Sequence, residues 1–386
     1  MDRIGFLLNH YDAHQVPHIV PYAFKLSQLY PEIEVTILTS TIEQKEFAKE
    51  IGARFPKHTC NFVDINASLA FELMDPLLSQ FIFMRKSAVL RKNIKLLSDF
   101  DSLVVPEVTS LSLKKYNSFV KTKLVFTGHG AGDNQNIGSF DSRLSEFSLC
   151  LLPGKKYAEG LSKRGFVTAE NYAIAGYPKF EAVAPINERK ALFENKNPVI
   201  IYNPHHHPNY SSWPALGEKI LDFFYTNKNY NLIFAPHVLL FKRKWGKGFK
   251  LSKKYTNSDN IIIDEGSRRS IDMSYMNAAD IYFGDCSSQV YEYLLKPRPC
   301  VFFDTLPREP NSELPYSCWN FGLVTKTTDD LEQIIISARE SHDKFSSIQR
   351  ESFRHTFATT EISPSERGAH LIAEFTRKGT IDKKWQ

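Results

Sequence analysis

The segment ADIYFGDCSSQVYEYLL, residues 279–295, contains the pattern from which the fold can be inferred. Its apolar run 281–284 has the length and composition of a buried strand, and a small polar turn leads from it into apolar side chains at helical spacing. Strand, turn and helix in this order form half of a βαβ unit, the unit that builds parallel sheets. The segment predicts an α/β fold whose functional groups lie in the turns after the strands.

The same alternation continues on both sides of this segment. In the N-terminal half we predict strands near residues 4–9, 35–40, 102–106, 124–127 and 149–152, and helices near 19–29, 42–51 and 73–97. In the C-terminal half we predict strands near 199–203, 232–235, 261–264, 281–284, 300–303 and 322–325, and helices near 216–224, 271–278, 288–295 and 329–339. Two such series predict two Rossmann-like, doubly wound domains that face a central cleft.

A polar stretch rich in proline and asparagine separates the two series. Such stretches are typical of domain boundaries. We therefore place an N-terminal domain at residues 1–180, a linker at 181–198, and a C-terminal domain that includes the C-terminal helices at 199–386.

Composition excludes several classes of protein. The 386 residues are 42% hydrophobic and 24% charged, which excludes a disordered or fibrous chain. The formal net charge of +5 is too small to indicate a nucleic-acid partner. No apolar window reaches 18 residues and no signal segment precedes the first strand, so we expect a cytoplasmic protein without a membrane span.

The five cysteines are an odd number, widely spaced and without a C-x-x-C pair. This spacing indicates neither a disulfide framework nor a zinc site. We expect reduced and mostly buried thiols at all five positions: Cys60, Cys150, Cys286, Cys300 and Cys318.

The turn TGHGAGD, residues 127–133, directly follows a predicted strand. Glycines on both sides of His129 allow unusual backbone angles and a close approach of substrate. The ordinary pKa of histidine suits a general base that accepts a proton from a hydroxyl. We predict His129 as that base, with Gly128, Gly130 and Asp133 on the acceptor side; the alternative is a structural glycine-rich turn.

Two further strand ends carry histidine. In NPHHHP, residues 203–208, neighbouring side chains point to opposite sides of an extended chain, which argues against a shared metal ion. We predict instead that His205 and His206 donate to phosphate oxygens, the alternative being an exposed run without a role. His237 ends the strand of LIFAPH, residues 232–237, and its recurrence at a strand end predicts convergence on the same anionic ligand.

The turn DCSS, residues 285–288, combines small polar residues with the start of a helix. Free N–H groups and the positive end of the helix favour a phosphate there, with Asp285, Ser287 and Ser288 in the donor site. Glu292, one helical turn later, would accept from ribose hydroxyls; the alternative for the turn is an ordinary N-cap. Neither a P-loop nor a G-x-G-x-x-G pattern occurs. Arg268, in the turn DEGSRR at 264–269, is the candidate for contact with the nucleotide base.

In this order, the His-Gly turn, the Pro-His strand end and the Asp-x-Ser-Ser helix start resemble the CDP-glycerol glycerophosphotransferase family of teichoic-acid and capsule synthesis. The resemblance rests on residues 124–304 and implies a GT-B fold. It also implies transfer of glycerol phosphate, or a similar polyol phosphate, from a CDP-linked donor to an acceptor hydroxyl, with release of CMP. His129 would be the base, His237 would stabilise the donor phosphates, and Ser287 and Ser288 would bind the diphosphate.

The chain departs from the family pattern at two motifs. Where teichoic-acid members have His-Gly-Thr-Pro, this chain has HGAG at residues 129–132, and their Asp-Tyr-Ser-Ser is DCSS here. The first change bears on the acceptor or the transferred group. The N-terminal domain would then serve the acceptor and the C-terminal domain the nucleotide donor, without a metal or other cofactor.

Other functions fit the same architecture. An inverting GT-B glycosyltransferase with a nucleotide-sugar donor is the main alternative, and a GT-B scaffold without catalysis is another. The acceptor would be a glycan or a lipid-linked hydroxyl. The chain has two basic segments, at residues 73–97 and 241–250. Each is either a solvated surface or a contact with the anionic inner face of the plasma membrane.

Overall fold

The computed structural model describes residues 1–69, 71, 84–132, 141–182, 192–241, 251–305 and 317–385. The chain divides into two compact units. The first contains Met1–Gly130, Gln135–Ala182 and Arg354–Gln386, and the second contains Ala131–Asn134 and Val183–Phe353. Each unit has its own parallel sheet, as the alternation of strands and helices predicts.

The first unit contains a seven-stranded sheet in the order β3-β2-β1-β4-β5-β6-β7. Its strands are β1 (Arg3–Leu8), β2 (Glu34–Thr39), β3 (Asn61–Asp64), β4 (Ser102–Val105), β5 (Lys123–Phe126), β6 (Leu149–Leu152) and β7 (Tyr172–Ile174). All neighbours are parallel, so the carboxyl ends of β1, β4 and β5 lie side by side at one edge. This edge therefore collects the turns after the central strands.

Helices cover this sheet because their apolar faces need burial. They are α1 (Val20–Leu29), α2 (Ile42–Gly52), α3 (Arg85–Lys92), α4 (Ile94–Leu97) and α5 (Lys155–Lys163), with a 3₁₀ helix at Ala13–His18. Thr41 caps α2 by accepting the backbone N–H of Gln44.

The C-terminal helices are α11 (Leu331–Glu340), α12 (His342–Thr356) and α13 (Pro364–Lys378). Helix α13 packs on α1 so closely that a side chain on Gly368 would meet the ring of Tyr22. The prediction that all C-terminal helices belong to the second domain is therefore wrong for residues 354–386, which join the first unit. Contacts between residues this far apart in sequence leave no local signal.

The second unit contains a six-stranded parallel sheet in the order β10-β9-β8-β11-β12-β13. Its strands are β8 (Val199–Asn203), β9 (Asn231–Phe234), β10 (Ile261–Ile263), β11 (Ile281–Gly284), β12 (Cys300–Phe303) and β13 (Leu323–Thr325). Its further helices are α6 (Trp213–Thr226), α7 (Lys253–Thr256), α8 (Arg268–Ile271), α9 (Ser274–Ala278) and α10 (Ser288–Tyr293). A buried aromatic and aliphatic core joins α6 to the sheet through Trp213, Phe224, Phe234 and Phe283.

The structure contradicts the expectation of reduced thiols at two positions. Cys286 and Cys318 form a disulfide, whose Cα atoms are 6.2 Å apart. The two residues are 32 positions apart in sequence, and their pairing depends on a 3₁₀ helix, Ser317–Phe321, that the apolar pattern does not reveal. Cys60, Cys150 and Cys300 are free, the first partly buried and the others fully.

The basic segment at residues 73–97 is described from residue 84 onward, and three of its cations bind partners in the first unit. Arg85 is buried and donates to the carbonyl of Ser40 at 2.7 Å. Lys86 binds Glu107, and Lys92 donates to the carbonyl of Ala67 at 2.8 Å. These three side chains are therefore engaged within the protein. Residues 242–250 of the second basic segment lie outside the described residues. No helix among the described residues is long and apolar enough to span a membrane.

Candidate active site

The turn after β5 holds the ring of His129 in a defined orientation. Gly128 has a φ of 67°, a left-handed conformation that glycine adopts without strain. The Nδ1 atom of His129 lies 2.9 Å from the carbonyl oxygen of Pro106, which follows β4. Because a carbonyl oxygen only accepts hydrogen bonds, Nδ1 must carry the proton, and the lone pair of the neutral ring is on Nε2. This tautomer is the one a general base needs.

Glu107, the residue after Pro106, is the centre of a buried polar network. Its carboxylate is 8% exposed and accepts from Lys86 at 2.6 and 2.8 Å. Gln15 donates to it at 2.6 Å and Thr109 at 3.0 Å. The Nε2 atom of His10 lies 3.7 Å from the same carboxylate. The carboxyl ends of β1 and β4 are thus linked through one acidic side chain.

A row of histidines connects this network to the predicted base. The ring centroids of His10 and His14 are 4.3 Å apart, and those of His14 and His129 are 5.4 Å apart. Loss of surrounding water lowers the pKa of His129, while the Pro106 carbonyl and Glu107 raise it. Burial and the charge of Lys86 lower the pKa of His10 to about 4. Both rings are therefore neutral near pH 7.

Glu107, Lys86 and the histidines before α1 are not among the site residues predicted from the sequence. Of these, only the histidines had a signal in the sequence, the polar run NHYDAH at residues 9–14 after β1. Asn9 is 1% exposed, and neither atom of its amide has a hydrogen-bond partner among the described residues. Since a buried amide needs hydrogen-bond partners, Asn9 marks a polar environment at the carboxyl end of β1.

Three residues at the same place have metal-type ligand atoms. Potential ligand atoms of His10, Asp12 and His14 lie within 4.8 Å of one another. However, Nδ1 of His10 accepts the backbone N–H of Asp12 at 3.0 Å, so its lone pair is already used. The opposite nitrogen faces Glu107, which also binds the ammonium group of Lys86. These contacts fit a polar wall better than a cation site.

In the second unit, three predicted histidines come together at the carboxyl ends of β8 and β9. The rings of His205 and His206 stack with centroids 4.4 Å apart, and those of His206 and His237 are 4.2 Å apart. His207, the third residue of the run, lies beside Tyr210 instead, at 5.1 Å. Burial lowers the pKa of His205 to about 3, so this ring is neutral near pH 7.

His237 is held in the tautomer opposite to that of His129. Its Nδ1 atom lies 3.2 Å from the backbone N–H of Leu239, which donates to it. A neutral ring that accepts at Nδ1 carries its proton on Nε2 and donates from there. His237 is therefore prepared to give a hydrogen bond to an anionic oxygen, the contact predicted for a donor phosphate.

Asp285 orders the loop that carries these histidines. Its carboxylate is 4% exposed and accepts the backbone N–H groups of His205 and Ser212, both at 2.8 Å. Burial raises the pKa of Asp285 to about 7, and these two hydrogen bonds oppose that rise. The carboxylate thus faces the β8 loop, which gives Asp285 a supporting place in the predicted donor site.

Ser287 is the N-cap of α10 and Ser288 is its first residue, as the turn predicts. The Ser287 hydroxyl caps the helix by accepting the N–H of Gln289 at 3.2 Å. Gly132 also lies here, since a side chain on it would come within 3.2 Å of the Ser288 nitrogen. The glycine of the HGAG variant thus allows close backbone contact within this unit.

The remaining predicted residues are placed as follows. Glu292 is buried in α10, at 2% exposure. Arg268 begins α8, next to Ser267, whose N–H binds the carboxylate of Asp264 at 2.6 Å. Gly130 follows His129 in the first unit, whereas Asp133 lies outside the described residues.

A match that covers more than half of the chain shows which family it belongs to. A model of the family CDP-glycerol:poly(glycerophosphate) glycerophosphotransferase matches residues 131–367. The chain belongs to this family. The predicted transferase class and use of CDP-glycerol are therefore confirmed. A search of curated proteins found no match to this glycerophosphotransferase.

Solved structures confirm the GT-B type of fold. The glycerophosphotransferase resembles the wall teichoic acid polymerase TagF with a TM-score of 0.64 at 14% identity, over 98% of this chain and 90% of that chain. It also resembles a UDP-N-acetylglucosamine 2-epimerase, with a TM-score of 0.59 at 12% identity over 99% of both chains. A co-structure of S. aureus MnaA with UDP gives 0.55 at 13% identity, over 97% of this chain and 96% of that chain. At these identities the likeness concerns the fold alone.

Proposed function

We propose that this glycerophosphotransferase moves glycerol phosphate, or a similar polyol phosphate, from its CDP-linked donor to an acceptor hydroxyl and releases CMP. The acceptor belongs to a cell-surface polymer, a capsule or a lipid headgroup. The observation that carries the proposal is the pair of fixed histidine tautomers. His129 offers a lone pair at its Nε2 atom, and His237 offers a proton at its own Nε2 atom.

The reaction is an in-line displacement at phosphorus. The acceptor oxygen forms a bond to the phosphorus that carries the polyol, and the bond from that phosphorus to the bridging oxygen of the diphosphate breaks. The proton of the acceptor hydroxyl goes to Nε2 of His129, and CMP leaves with the bridging oxygen. A positioned base contributes roughly 10²- to 10⁴-fold to such a step.

The second unit supplies groups for the charge of the donor. His205, His206 and His237 lie at adjacent strand ends, and Ser287 and Ser288 begin the next helix. N–H and O–H donors in fixed positions stabilise the developing charge on the leaving phosphate. Asp285 holds the β8 loop, so it supports the donor contacts through His205. Glu292 and Arg268 remain proposed contacts of the nucleoside.

Thermal unfolding with CDP, CMP, UDP and UMP tests the donor site, because a ligand that binds only the folded state raises Tm. We expect stabilisation by the cytidine nucleotides and its loss in the Ser287→Ala/Ser288→Ala variant. Ser252→Ala is the matched control, since it removes the N-cap of α7 in the same unit. Each variant is compared with its own ligand-free Tm because loss of a cap costs about 1 kcal/mol by itself. Stabilisation by uridine nucleotides alone would indicate a nucleotide-sugar transferase.

We also propose that the enzyme works in the cytoplasm, on the inner face of the plasma membrane, where a lipid-linked acceptor is accessible. The support is the basic composition of residues 241–250, which suits an anionic surface. Sedimentation with anionic vesicles should carry the protein down at low salt and release it at high salt. Equal sedimentation with neutral vesicles would contradict this proposal.

A further inference from the structure

A partly buried ion pair lies near the base of the proposed reaction, and the reaction itself does not explain it. Lys86 and Glu107 are joined at 2.6 and 2.8 Å, and their side chains are 18% and 8% exposed. Burial of an ion pair costs the solvation energy of both charges, and a contact between apolar side chains does not have this cost. The position of the pair therefore needs a reason.

Two contacts connect the pair to His129. Glu107 is covalently next to Pro106, whose carbonyl holds the ring at Nδ1. The carboxylate also faces His10, and the rings of His10, His14 and His129 follow one another at 4.3 and 5.4 Å. A change at Glu107 thus reaches the base through the backbone and through its electric field.

We propose that Glu107 and Lys86 form a charge pair that controls the proton affinity of His129, with Glu107 as its positioning residue. The inference rests on the proposed role of His129 as base. The carboxylate stabilises the imidazolium that forms when His129 takes the acceptor proton, and the ammonium of Lys86 limits this effect. Together they keep the ring neutral before transfer and able to accept a proton during it.

Other groups around the ring also act on its proton affinity. Burial lowers the pKa of His18 well below its ordinary value, so this ring contributes no charge at neutral pH. His10 is likewise neutral. The acidic and basic side chains around the ring are Glu107, Lys86 and the nearby Asp12, beside the histidines His10, His14 and His18. Opposite changes in the pair must then move the pKa of His129 in opposite directions.

The test is an NMR titration of the His129 ring in the full chain, without substrate, assigned with the variant His129→Gln. Glu107→Gln keeps the shape of the side chain and leaves Lys86 unopposed, so the pKa of His129 should fall. Lys86→Met leaves the carboxylate unopposed, so the pKa should rise. We expect each shift to be about half a pH unit or more, since nearby charges move pKa values on this scale. The double variant should return close to the wild-type value.

The control is Glu374→Gln, which removes a carboxylate from an exposed ion pair with Lys378 on α13 and should leave the titration unchanged. A parallel assay of CMP release should show the acid limb of the pH profile moving in the same direction as the NMR value. Shifts of one sign in both variants, or none, would overturn the inference even if the wild type transfers glycerol phosphate. If the two variants shift the pKa of His129 in opposite directions but the enzyme releases no CMP, the proposal about the charge pair stands and the proposed function is rejected.

Discussion

At the scale of single residues, backbone groups decide what each histidine is able to do. A carbonyl holds Nδ1 of His129, and an N–H group holds Nδ1 of His237. The same side chain is thereby prepared as a proton acceptor in one unit and as a donor in the other.

Glutamine substitutions separate these two roles, because an amide replaces a hydrogen-bond donor but not a base. His129→Gln should lower kcat by about 10²-fold or more, the loss typical of a missing general base. His237→Gln should lower kcat by about 10-fold or less, since its N–H group remains available to the phosphate. Steady-state rates of CMP release measure both. Equal losses in the two variants would contradict the assigned tautomers.

The buried carboxylate of Asp285 predicts a dependence of stability on pH. Its pKa is about 7 in the folded protein, above the unfolded value near 4, so folding binds a proton between these values. The folded state therefore loses stability as pH rises from about 4 to 7, by at most about 4 kcal/mol from this group. Asp285→Asn keeps an oxygen for the two N–H groups and removes the titration.

Denaturant unfolding of both proteins at several pH values measures this effect. The difference in unfolding free energy between wild type and Asp285→Asn should change in favour of the variant as pH rises through this range. Other titrating groups cancel in the difference because both proteins share them. Parallel curves would show that Asp285 does not titrate there.

Local pattern singled out some candidate site residues and missed others. His129 and His237 are candidates because each lies in the turn just after an apolar run. Glu107 also follows a strand, but nothing nearby in sequence indicates that Lys86, Gln15 and His10 meet it. Such networks depend on which strands become neighbours, and local sequence pattern does not predict the order of the strands in a sheet.

At the scale of elements, the buried apolar strands were predictable, whereas the two edge strands of the first sheet, β3 and β7, were not. β6, β8, β11 and β12 have the predicted bounds because continuous apolar runs are typical of strands buried on both faces. β3 is partly exposed and β7 has three residues, so neither gives a strong pattern.

The disulfide joins the turn before α10 to the 3₁₀ helix at Ser317–Phe321. Protein purified and denatured without reductant should therefore expose three reactive thiols, at Cys60, Cys150 and Cys300. Reductant should raise the number to five, and Cys318→Ser should give four without reductant. Mass spectrometry after alkylation counts them. Five alkylated thiols without reductant would show that the bond does not form in solution.

The contact between α13 and α1 makes Gly368 intolerant of a side chain. A Cβ there would lie 2.1 Å from Cε1 of Tyr22, a side chain that is 2% exposed. Gly368→Ala should destabilise the protein by about 1–3 kcal/mol, although alanine favours helices. Lys378→Ala, on an exposed turn of α13, is the control. Unchanged or increased stability in denaturant unfolding would contradict this packing.

At the scale of the whole molecule, sequence pattern predicted two parallel-sheet units but not the full path of the chain. The main part of the first unit ends at Ala182, and the C-terminal segment from Arg354 returns to that unit. Burial of the α13 face against α1 brings it there, a contact between residues more than 300 positions apart. The family match accounts for the activity class, and the tautomers account for the assignment of base and donor groups.

The most direct test of the central claim is CMP release from CDP-glycerol by the wild type and by His129→Gln, with and without a hydroxyl-bearing glycerol-phosphate acceptor. We predict that the wild type releases CMP only with acceptor present and transfers one glycerol phosphate for each CMP released. His129→Gln should lose this activity but keep the rise in Tm that CDP causes. Transfer from a UDP-sugar instead, or full activity of a folded His129→Gln protein, would contradict the account.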